Sequence, residues 1–358
     1  PEVMDGRVKT LHPNIHMCLL ARHDVESDMA TLQKNNLQPI DLVVGNLYAF
    51  ESALKKGLDE QELTEFIDIG GPSFLRAAAK NFSRIATVCD PKDYASILEK
   101  KELTLNDRKE LAAKVFAHTS AYDSMVSTAL GADLAFNDFS LGGKFVEQLR
   151  YGENSQQKAS WYRQMGSDGL HDAKIIQGKA LSYNNLLDLD AAVSTLREFS
   201  QPCCVALKHN NPCGVAVADN VDQAVTLSLQ ADPVSVFGGI VACNQEVNKV
   251  AAEAMASIFL ECIVAPHFSD EALEVFAAKK NLRLLQWPEL MAVEKTYKLK
   301  TISGGFLVQE QDTVATSWNN NWQIHGKAPD DQTKRDLLLA WQTCAHLKSN
   351  AISLTSGG

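Results

Sequence analysis

CVALKHNNPCGVA, residues 204–216, is the stretch of this sequence that decides its fold. An apolar run of strand length ends in Lys208 and His209, and the turn-forming residues NNPCG follow it. Three more apolar runs of strand length lie downstream: FGGIVACN (237–244), CIVAP (262–266) and LRLLQW (282–287). Helical patterns separate these runs, with predicted starts near Leu187, Val221, Glu246 and Ser269. Strands that alternate with helices predict a mostly parallel or mixed sheet with helices packed on it.

The first third of the chain alternates in the same way. IDLVVGNLYAF (40–50) predicts a buried strand that runs into a loop, and RIATVCD (84–90) predicts a second strand. Between them PSFLRAAAKN (72–81) predicts a helix, with Pro72 at its first position behind two glycines. Both halves of the chain are therefore expected to be α/β.

A long helix is predicted to close the first domain. It starts at TLND (104–107), a sequence similar to a capping box, and its apolar positions recur at helical spacing to about residue 135. The turn formers in LAFNDFSLGGK (134–144) then separate the two patterned regions. We predict two domains, residues 1–138 and 139–358.

The composition narrows the class of protein. The 358 residues are 45% hydrophobic and 22% charged, which is typical of globular domains. A net charge of −10 argues against a broad nucleic-acid interface, and no apolar run reaches membrane-spanning length. None of the eight cysteines forms a CxxC pair, so we expect buried thiols in a reducing cytoplasm and no metal site. A start at Pro1 and an end in AISLTSGG suggest a fragment.

A first group of polar residues suits an anionic substrate. Arg7 and Lys9 share one side of an extended segment, and Tyr48 stands where the first strand ends. Asp68 precedes the N-terminus of a helix that carries Lys80. Taken alone, the cations of this helix fit a solvated face equally well, and a lone tyrosine is more often a core residue.

A second group centres on Lys208 and His209 at the end of the strand at 204–208. Histidine takes up a proton near neutral pH, and an adjacent ammonium group can stabilise an oxyanion. The dipeptide by itself is more often structural than catalytic.

Seven further segments support a catalytic role for these two groups, because they follow the same order as segments of a known family. They resemble, in sequence, segments of the bifunctional AICAR transformylase/IMP cyclohydrolase family: DGRVKTLHP (5–13), VVGNLYAF (43–50), IDIGGPSFLRAAAKN (67–81), RYGENSQQ (150–157), GKALSYNNLLD (178–188), DPVSVFGGIVA (232–242) and LKSNAI (347–352). Together with the KHNNPCG motif they span nearly the whole chain. The resemblance implies a methylglyoxal synthase-like doubly wound domain followed by a cytidine deaminase-like α/β domain, both incomplete.

The resemblance also implies two sets of functional residues. For cyclisation of the formylated nucleotide FAICAR to IMP with loss of water, the catalytic positions are Lys9, Tyr48, Asp68 and Lys80, and the substrate-holding positions are Arg7, Thr10 and Asn46. For formyl transfer to the 5-amino group of AICAR, the catalytic positions are Lys208, His209 and Asn350. The nucleotide is then held by Arg150, Tyr151, Asn185, Phe237, Gly238 and Glu261.

The resemblance further implies 10-formyltetrahydrofolate as cosubstrate and a homodimer in the complete protein, with the transformylase site built across the dimer interface. Two segments depart from the family pattern: Ala49 replaces a usual proline, and Ser155-Gln156 replace Pro-His. We expect low activity from the fragment alone. The alternative is a nucleotide-binding regulatory module without turnover, which folate-dependent turnover would separate from an enzyme.

Overall fold

The computed structural model describes residues 4, 7–8, 10–131, 138–292, 297–314, 316–319 and 321–358. The chain forms two compact units: unit 1 is Pro1–Lys144 with Tyr162–Ser167, and unit 2 is Phe145–Trp161 with Asp168–Gly358. The predicted end of the long helix near residue 135 lies outside the described residues. The predicted division into catalytic domains at residue 138 stays a prediction.

Unit 1 contains seven helices and two strands among its described residues. The helices are α1 (Pro13–Leu20), α2 (Glu26–Lys34), α3 (Phe50–Lys55), α4 (Glu60–Thr64), α5 (Gly70–Lys80), α6 (Tyr94–Leu98) and α7 (Leu105–Ala129). The strands β1 (Leu42–Val44) and β2 (Ala86–Val88) pair in parallel, with Val43 opposite Thr87. Two further strands, β3 (Gly143–Leu149) and β4 (Ala159–Gln164), whose residues are divided between units 1 and 2, form a separate two-stranded sheet.

Helices α5 and α7 cover one side of the pair β1–β2. Leu75 of α5, Val115 of α7 and Val43 of β1 meet in one buried cluster. Leu42 and Val44 are about half exposed, so the expectation of a fully buried strand was wrong for β1. Strand side chains alternate between faces, and Leu42 and Val44 point away from the Val43 cluster, whereas all three residues of β2 are buried.

Two helix starts show what local sequence can predict. Helix α7 begins after Thr104, which forms the expected capping box with Asp107. Helix α5 begins at Gly70, two residues before the predicted start at Pro72. The reason is Asp68, whose Oδ1 accepts a hydrogen bond from the Gly71 N–H at 2.7 Å and so stabilises an earlier first turn.

Unit 2 is built on a six-stranded mixed sheet with the strand order β5-β10-β9-β8-β6-β7. Its strands are β5 (Lys174–Gln177), β6 (Cys203–Lys208), β7 (Asn211–Val217), β8 (Gly239–Cys243), β9 (Leu260–Ala265) and β10 (Arg283–Gln286). A separate antiparallel hairpin consists of β11 (Tyr297–Ile302) and β12 (Gly305–Glu310). The helices are α8 (Tyr183–Leu196), α9 (Val221–Ala231), α10 (Lys249–Ala256), α11 (Asp270–Ala277) and α12 (Asp331–Ala345).

The sheet of unit 2 has a buried core on each face. Cys203, Val205 and Leu207 pack with residues of α8 and with Leu339 of α12. The alternate residues Cys204 and Ala206 belong to the other cluster, with residues of α9, α10 and α11. Because β6 is covered on both sides, its sequence is apolar throughout instead of alternating. The expected α/β layering, and the four strands predicted downstream of residue 203, are confirmed.

Two local expectations were wrong in unit 2. Helix α8 begins at Tyr183 and not near Leu187, because Ser182 and Asn185 form a capping box four residues earlier. The stretch NNPCG was expected to be a turn, but residues 211–217 form β7, antiparallel to β6. Strand β7 lies at the edge of the sheet, where Pro212 is tolerated because an edge strand need not donate every N–H to a neighbour.

Candidate functional site

The group around Lys208 and His209 is the second candidate site. It lies at the edge of the unit 2 sheet that is formed by strand ends. Strands β8, β9 and β10 are parallel to one another, and β6 runs antiparallel to β8. The carboxyl end of β6, at Lys208, therefore meets the amino ends of the other three strands. We expected a site at a strand end, and the pairing shows that β6 alone of these four strands reaches this edge with its carboxyl end.

His209 and Asn210 are the two residues of the β6–β7 hairpin turn. Their φ angles are 55° and 60°, the left-handed region that a two-residue type I′ turn requires at both central positions. A non-glycine residue there is strained by about 1–2 kcal/mol, and asparagine or glycine is the usual occupant. The His209 side chain is exposed, so the imidazole is open to a ligand and is not sealed in the core.

Asp188 of α8 holds this turn. Its Oδ1 accepts a hydrogen bond from the Asn210 N–H at 2.8 Å, and the backbone of His209 also donates to the carboxylate. Burial raises the pKa of the Asp188 carboxyl, and the backbone hydrogen bonds from Asn210 and His209 oppose that rise. The sequence reasoning missed Asp188, although it is the last residue of the motif GKALSYNNLLD.

Lys208 is tied to the loop that precedes β8. Its Nζ donates a hydrogen bond to the Phe237 carbonyl oxygen at 2.7 Å. Gly238 follows with a φ of 75°, a conformation that favours glycine, and its N–H donates to the Phe259 carbonyl at 2.7 Å. The Phe237 ring is exposed and lies 5.4 Å from the Phe259 ring. Three predicted residues, Lys208, Phe237 and Gly238, are thus brought together.

Asn185 and Glu261, two predicted substrate contacts, bind each other. The Asn185 Nδ2 donates to Glu261 Oε2 at 2.8 Å, and the Asn185 Oδ1 accepts from the Ser182 N–H. Arg283 lies on the other side of Glu261, with Nη1 3.8 Å from Oε2. Asn185 is buried, so in this arrangement its amide orients Glu261. Arg283 was not singled out from the sequence, because it stands inside the apolar run LRLLQW.

Arg150 and Tyr151 begin a compact loop. The Arg150 guanidinium carbon is 5.6 Å from the centre of the Tyr151 ring. The loop is closed by the Gly152 N–H, which donates to the Gln157 carbonyl at 2.8 Å. Asn184 Nδ2 donates to the Glu153 carbonyl at 3.3 Å, which places the loop beside the first turn of α8.

Asn350 is exposed on the segment after α12. Four residues earlier, His346 Nε2 lies 2.9 Å from Glu198 Oε1, beyond the C-terminal end of α8. Asn185 stands in the first turn of the same helix, which is 14 residues and therefore about 20 Å long. Within the described residues, the structure gives Asn350 no hydrogen bond to Lys208 or His209.

The first site is organised by Asp68, which is buried. Its Oδ2 accepts a hydrogen bond from the Tyr48 N–H at 3.1 Å, and its Oδ1 accepts from the Gly71 N–H. The Asp68 N–H in turn donates to the Tyr122 hydroxyl at 2.8 Å. A Cβ on Gly71 would lie 2.3 Å from Asp68 Oδ2, so this position leaves no room for a side chain. The carboxylate therefore fixes the loop that carries Tyr48.

Five of the six other predicted residues of the first site, Lys80 among them, lie within the described residues. Asn46 and Tyr48 are exposed, and the Tyr48 side chain is 47% exposed. Thr10 lies at the start of α5, where a Cβ on Gly70 would be 2.4 Å from its Oγ1. Arg7 forms an exposed ion pair with Glu65. Lys9 lies outside the described residues.

Lys80 is separated from this group by the length of α5. It is the last residue of an 11-residue helix, so it lies about 15 Å from the turn that Asp68 caps. Its side chain is exposed. Arg76, one turn earlier, faces α7 instead, with its guanidinium carbon 5.2 Å from the centre of the Phe116 ring. Both cations of α5 are therefore exposed, and Arg76 also contacts α7.

Six of the eight cysteine thiols are buried as expected, whereas Cys213 and Cys344 are half-buried. All eight cysteines are free, and burial raises the pKa of the Cys262 thiol to about 12. Across the described ranges no group of three or more histidine, cysteine or acidic side chains is arranged to hold a metal ion.

An exposed imidazole beside an ammonium group, with amide and carboxylate neighbours on an α/β sheet, is an arrangement that enzymes of the group-transfer class can use. Residues 78–358 match the family described as the AICARFT/IMPCHase bienzyme. The chain belongs to this family of AICAR formyltransferases and IMP cyclohydrolases. It is accordingly an enzyme of purine biosynthesis, with formyl transfer and IMP cyclisation as its two activities.

Three relatives carry the name bifunctional purine biosynthesis protein PurH. That of Thermoanaerobacter sp. (strain X514) is 45% identical over 367 residues, covering 100% of this chain and 72% of the relative. That of Aquifex aeolicus (strain VF5) is 43% identical with the same coverage, and that of Bacillus mycoides (strain KBAB4) is 45% identical over 99% of this chain. A solved structure titled "Crystal structure of ForH" is 34% identical with a TM-score of 0.33, covering 37% of this chain and 70% of that chain.

Proposed function

We propose that formyl transfer takes place at the β6–β7 turn, with His209 as the base and Lys208 as the electrostatic stabiliser. The 5-amino group of AICAR attacks the formyl carbon of 10-formyltetrahydrofolate, and a tetrahedral oxyanion forms. His209 accepts the proton that the amine loses, and the ammonium group of Lys208 stabilises the oxyanion. The C–N bond to the folate then breaks, and tetrahydrofolate leaves with a proton.

The surrounding residues would hold the nucleotide. We assign this task to Arg150, Tyr151, Phe237, Gly238 and Glu261, with Asn185 orienting Glu261 through their 2.8 Å hydrogen bond. Phe237 supports the assignment, because its carbonyl accepts a hydrogen bond from Lys208 and its ring is exposed, which offers a flat surface to an imidazole base.

We also propose a homodimer in which a second copy supplies Asn350 to this site. The support is the position of Asn350 in one copy, on the segment after α12, where His346 contacts Glu198 beyond the C-terminal end of α8. The fold assignments to a methylglyoxal synthase-like and a cytidine deaminase-like domain, and a cytoplasmic location, belong to the same proposal. No helix in the described ranges is both long and apolar enough to cross a membrane.

For cyclisation, we propose the group around Asp68 in unit 1. The amide nitrogen of FAICAR attacks the formyl carbon, and the oxygen finally leaves as water. The hydroxyl of Tyr48, an exposed residue, would act on that oxygen, with Asp68 holding the Tyr48 backbone at 3.1 Å. Lys9 and Lys80 would supply positive charge, and Arg7, Thr10 and Asn46 would contact the substrate.

The observation that carries the transfer proposal is the exposed His209 next to Lys208 at the sheet edge. In the enzyme, His209→Ala should lower formyl transfer at least about 100-fold and leave cyclisation of supplied FAICAR unchanged. Lys80→Ala should lower cyclisation and leave transfer unchanged. Transfer is followed by tetrahydrofolate absorbance and cyclisation by IMP absorbance.

A matched control is His267→Ala, because His267 is an exposed histidine just beyond the carboxyl end of β9, at the opposite edge of the sheet. It should keep both activities. Formyl transfer that survives His209→Ala, or is lost equally in His267→Ala, would refute the assignment of the base. Binding of AICAR without folate-dependent turnover would favour a regulatory module instead.

A further inference from the structure

We propose that Asp188 is a positioning residue for formyl transfer, because its carboxylate fixes the backbone of the turn that carries His209. The inference rests on the proposed role of His209 as the base. Asp188 would act through that histidine, holding the imidazole where it can reach the amine of the nucleotide.

The contacts show a carboxylate that binds the whole turn. Its Oδ1 accepts the Asn210 N–H at 2.8 Å, and the backbone of His209 donates to the same carboxylate. With its nitrogen turned toward α8, the Asn210 amide donates to Asp188 Oδ1 at 3.0 Å and to the Leu187 carbonyl at 3.2 Å. The two-residue turn is therefore attached to one side chain, which is 22 residues from Asn210 in sequence.

The turn needs such an attachment because of the residue it carries. Glycine adopts left-handed backbone angles freely, whereas histidine at a φ of 55° does not. The direction of the Cα–Cβ bond depends on the backbone angles, so a relaxed His209 would point its imidazole elsewhere. The hydrogen bonds from Asp188 offset the strain and thereby keep a histidine at a position that usually holds asparagine or glycine.

The anchor is itself well fixed. Asp188 lies on α8, whose first turn is closed by the capping box of Ser182 and Asn185. Asn185 links that turn to Glu261 of β9 at 2.8 Å. The helix also packs into the apolar core beneath the sheet through Leu189 and Val193. The carboxylate is thus held by a rigid element, which is what accurate placement of a catalytic group requires.

The test is Asp188→Ala in the enzyme. We expect kcat for formyl transfer to fall about 10- to 100-fold, the usual effect of losing a group that orients a catalytic residue, with little change in the KM for AICAR. Asp188→Asn keeps one acceptor oxygen and should lose less. A cooperative urea unfolding transition of unit 2 reports that each variant is folded, and Asp190→Ala, on the same helix, should leave transfer unchanged.

The sharper measurement is a rescue. Asn210→Gly, added to Asp188→Ala, supplies the residue that favours the left-handed turn without help, so it should restore much of the lost kcat. A kcat unaltered by Asp188→Ala, a rise in KM alone, or a failure of Asn210→Gly to restore activity would overturn the inference. If His209→Ala itself keeps transfer, the proposed base is wrong and this inference falls with it.

Discussion

The two sites of this enzyme use the same device in different settings. In unit 1, Asp68 binds the backbone N–H of Tyr48, and in unit 2, Asp188 binds the backbone of His209 and Asn210. Asp68 is buried at the start of a helix, and the loop it holds has ordinary backbone angles, whereas Asp188 is half-buried and holds a left-handed turn. In both sites a carboxylate beside a candidate catalytic residue therefore binds backbone N–H groups. We expect the more buried carboxylate to contribute more to the free energy of unfolding.

The two carboxylates, Asp68 and Asp188, should differ most in the stability that is lost when each is replaced by alanine. Asp68→Ala leaves the N–H groups of Tyr48 and Gly71 without an acceptor, so we expect the free energy of unfolding of unit 1 to fall by about 2–4 kcal/mol. Cyclisation should be lost and formyl transfer kept. Asp188→Ala should lower stability by less than half as much. Urea unfolding of both variants measures this, and equal losses would remove the contrast.

A third anchor tests the part that charge plays. The hydrogen bond from Arg163 lowers the pKa of the Glu51 carboxyl to about 2, and Glu51 also accepts from the Gly166 N–H at 3.2 Å. This stability is complete above the unfolded pKa of about 4.5 and is lost as pH falls through 2. Glu51→Gln should lower the free energy of unfolding by about 1–2 kcal/mol at neutral pH, allowing for solvent screening, and flatten its dependence below pH 4.5.

The stability that Asp188 contributes should depend on pH with the opposite sign to that of Glu51. Because burial raises its pKa above the ordinary 3.8, the folded state holds the proton more tightly than the unfolded chain. Its contribution therefore falls as pH rises from 3.8 through the raised value. Asp188→Asn serves as the control, since it removes this pH dependence. If Glu51→Gln and Asp188→Asn changed the pH dependence of stability in the same direction, the contrast would be contradicted.

The smallest effect concerns the strain itself. His209→Gly relieves about 1–2 kcal/mol of left-handed strain and adds about 0.5–1 kcal/mol of backbone entropy to the unfolded state, so stability should rise slightly. Formyl transfer should be lost. Tyr48→Gly, at a residue with ordinary backbone angles, should instead destabilise unit 1. Thermal unfolding compares the two, and a loss of stability in His209→Gly would show that the turn is not strained.

Much of the fold follows from local sequence. Strands β6, β8, β9 and β10 were predicted because each is an uninterrupted apolar run, and such runs have few alternatives between two layers of helices. Edge positions were harder to predict. Strand β7 was read as a turn because asparagine, proline and glycine are turn formers, and only its place at the sheet edge makes that composition compatible with a strand.

The residues of the candidate site likewise divide into those that local sequence predicts and those that it does not. Lys208 and His209 are adjacent in sequence, so the end of a predicted strand was enough to find them. Asp188 and Arg283 were missed because their importance comes from partners 22 residues away or on another strand. The pairing of Asn185 with Glu261 likewise depends on the packing of α8 against β9, which no spacing in the sequence records.

The two-residue turn between β6 and β7 also limits how this region can change. Inserting or deleting one residue there would shift the strand register and send every following side chain of β7 to the opposite face of the sheet. Natural or engineered variation in substrate selectivity should therefore accumulate in the loops around Arg150 and Phe237, where length can vary without cost to the sheet. The fold of the hairpin itself should tolerate substitutions, but not insertions or deletions.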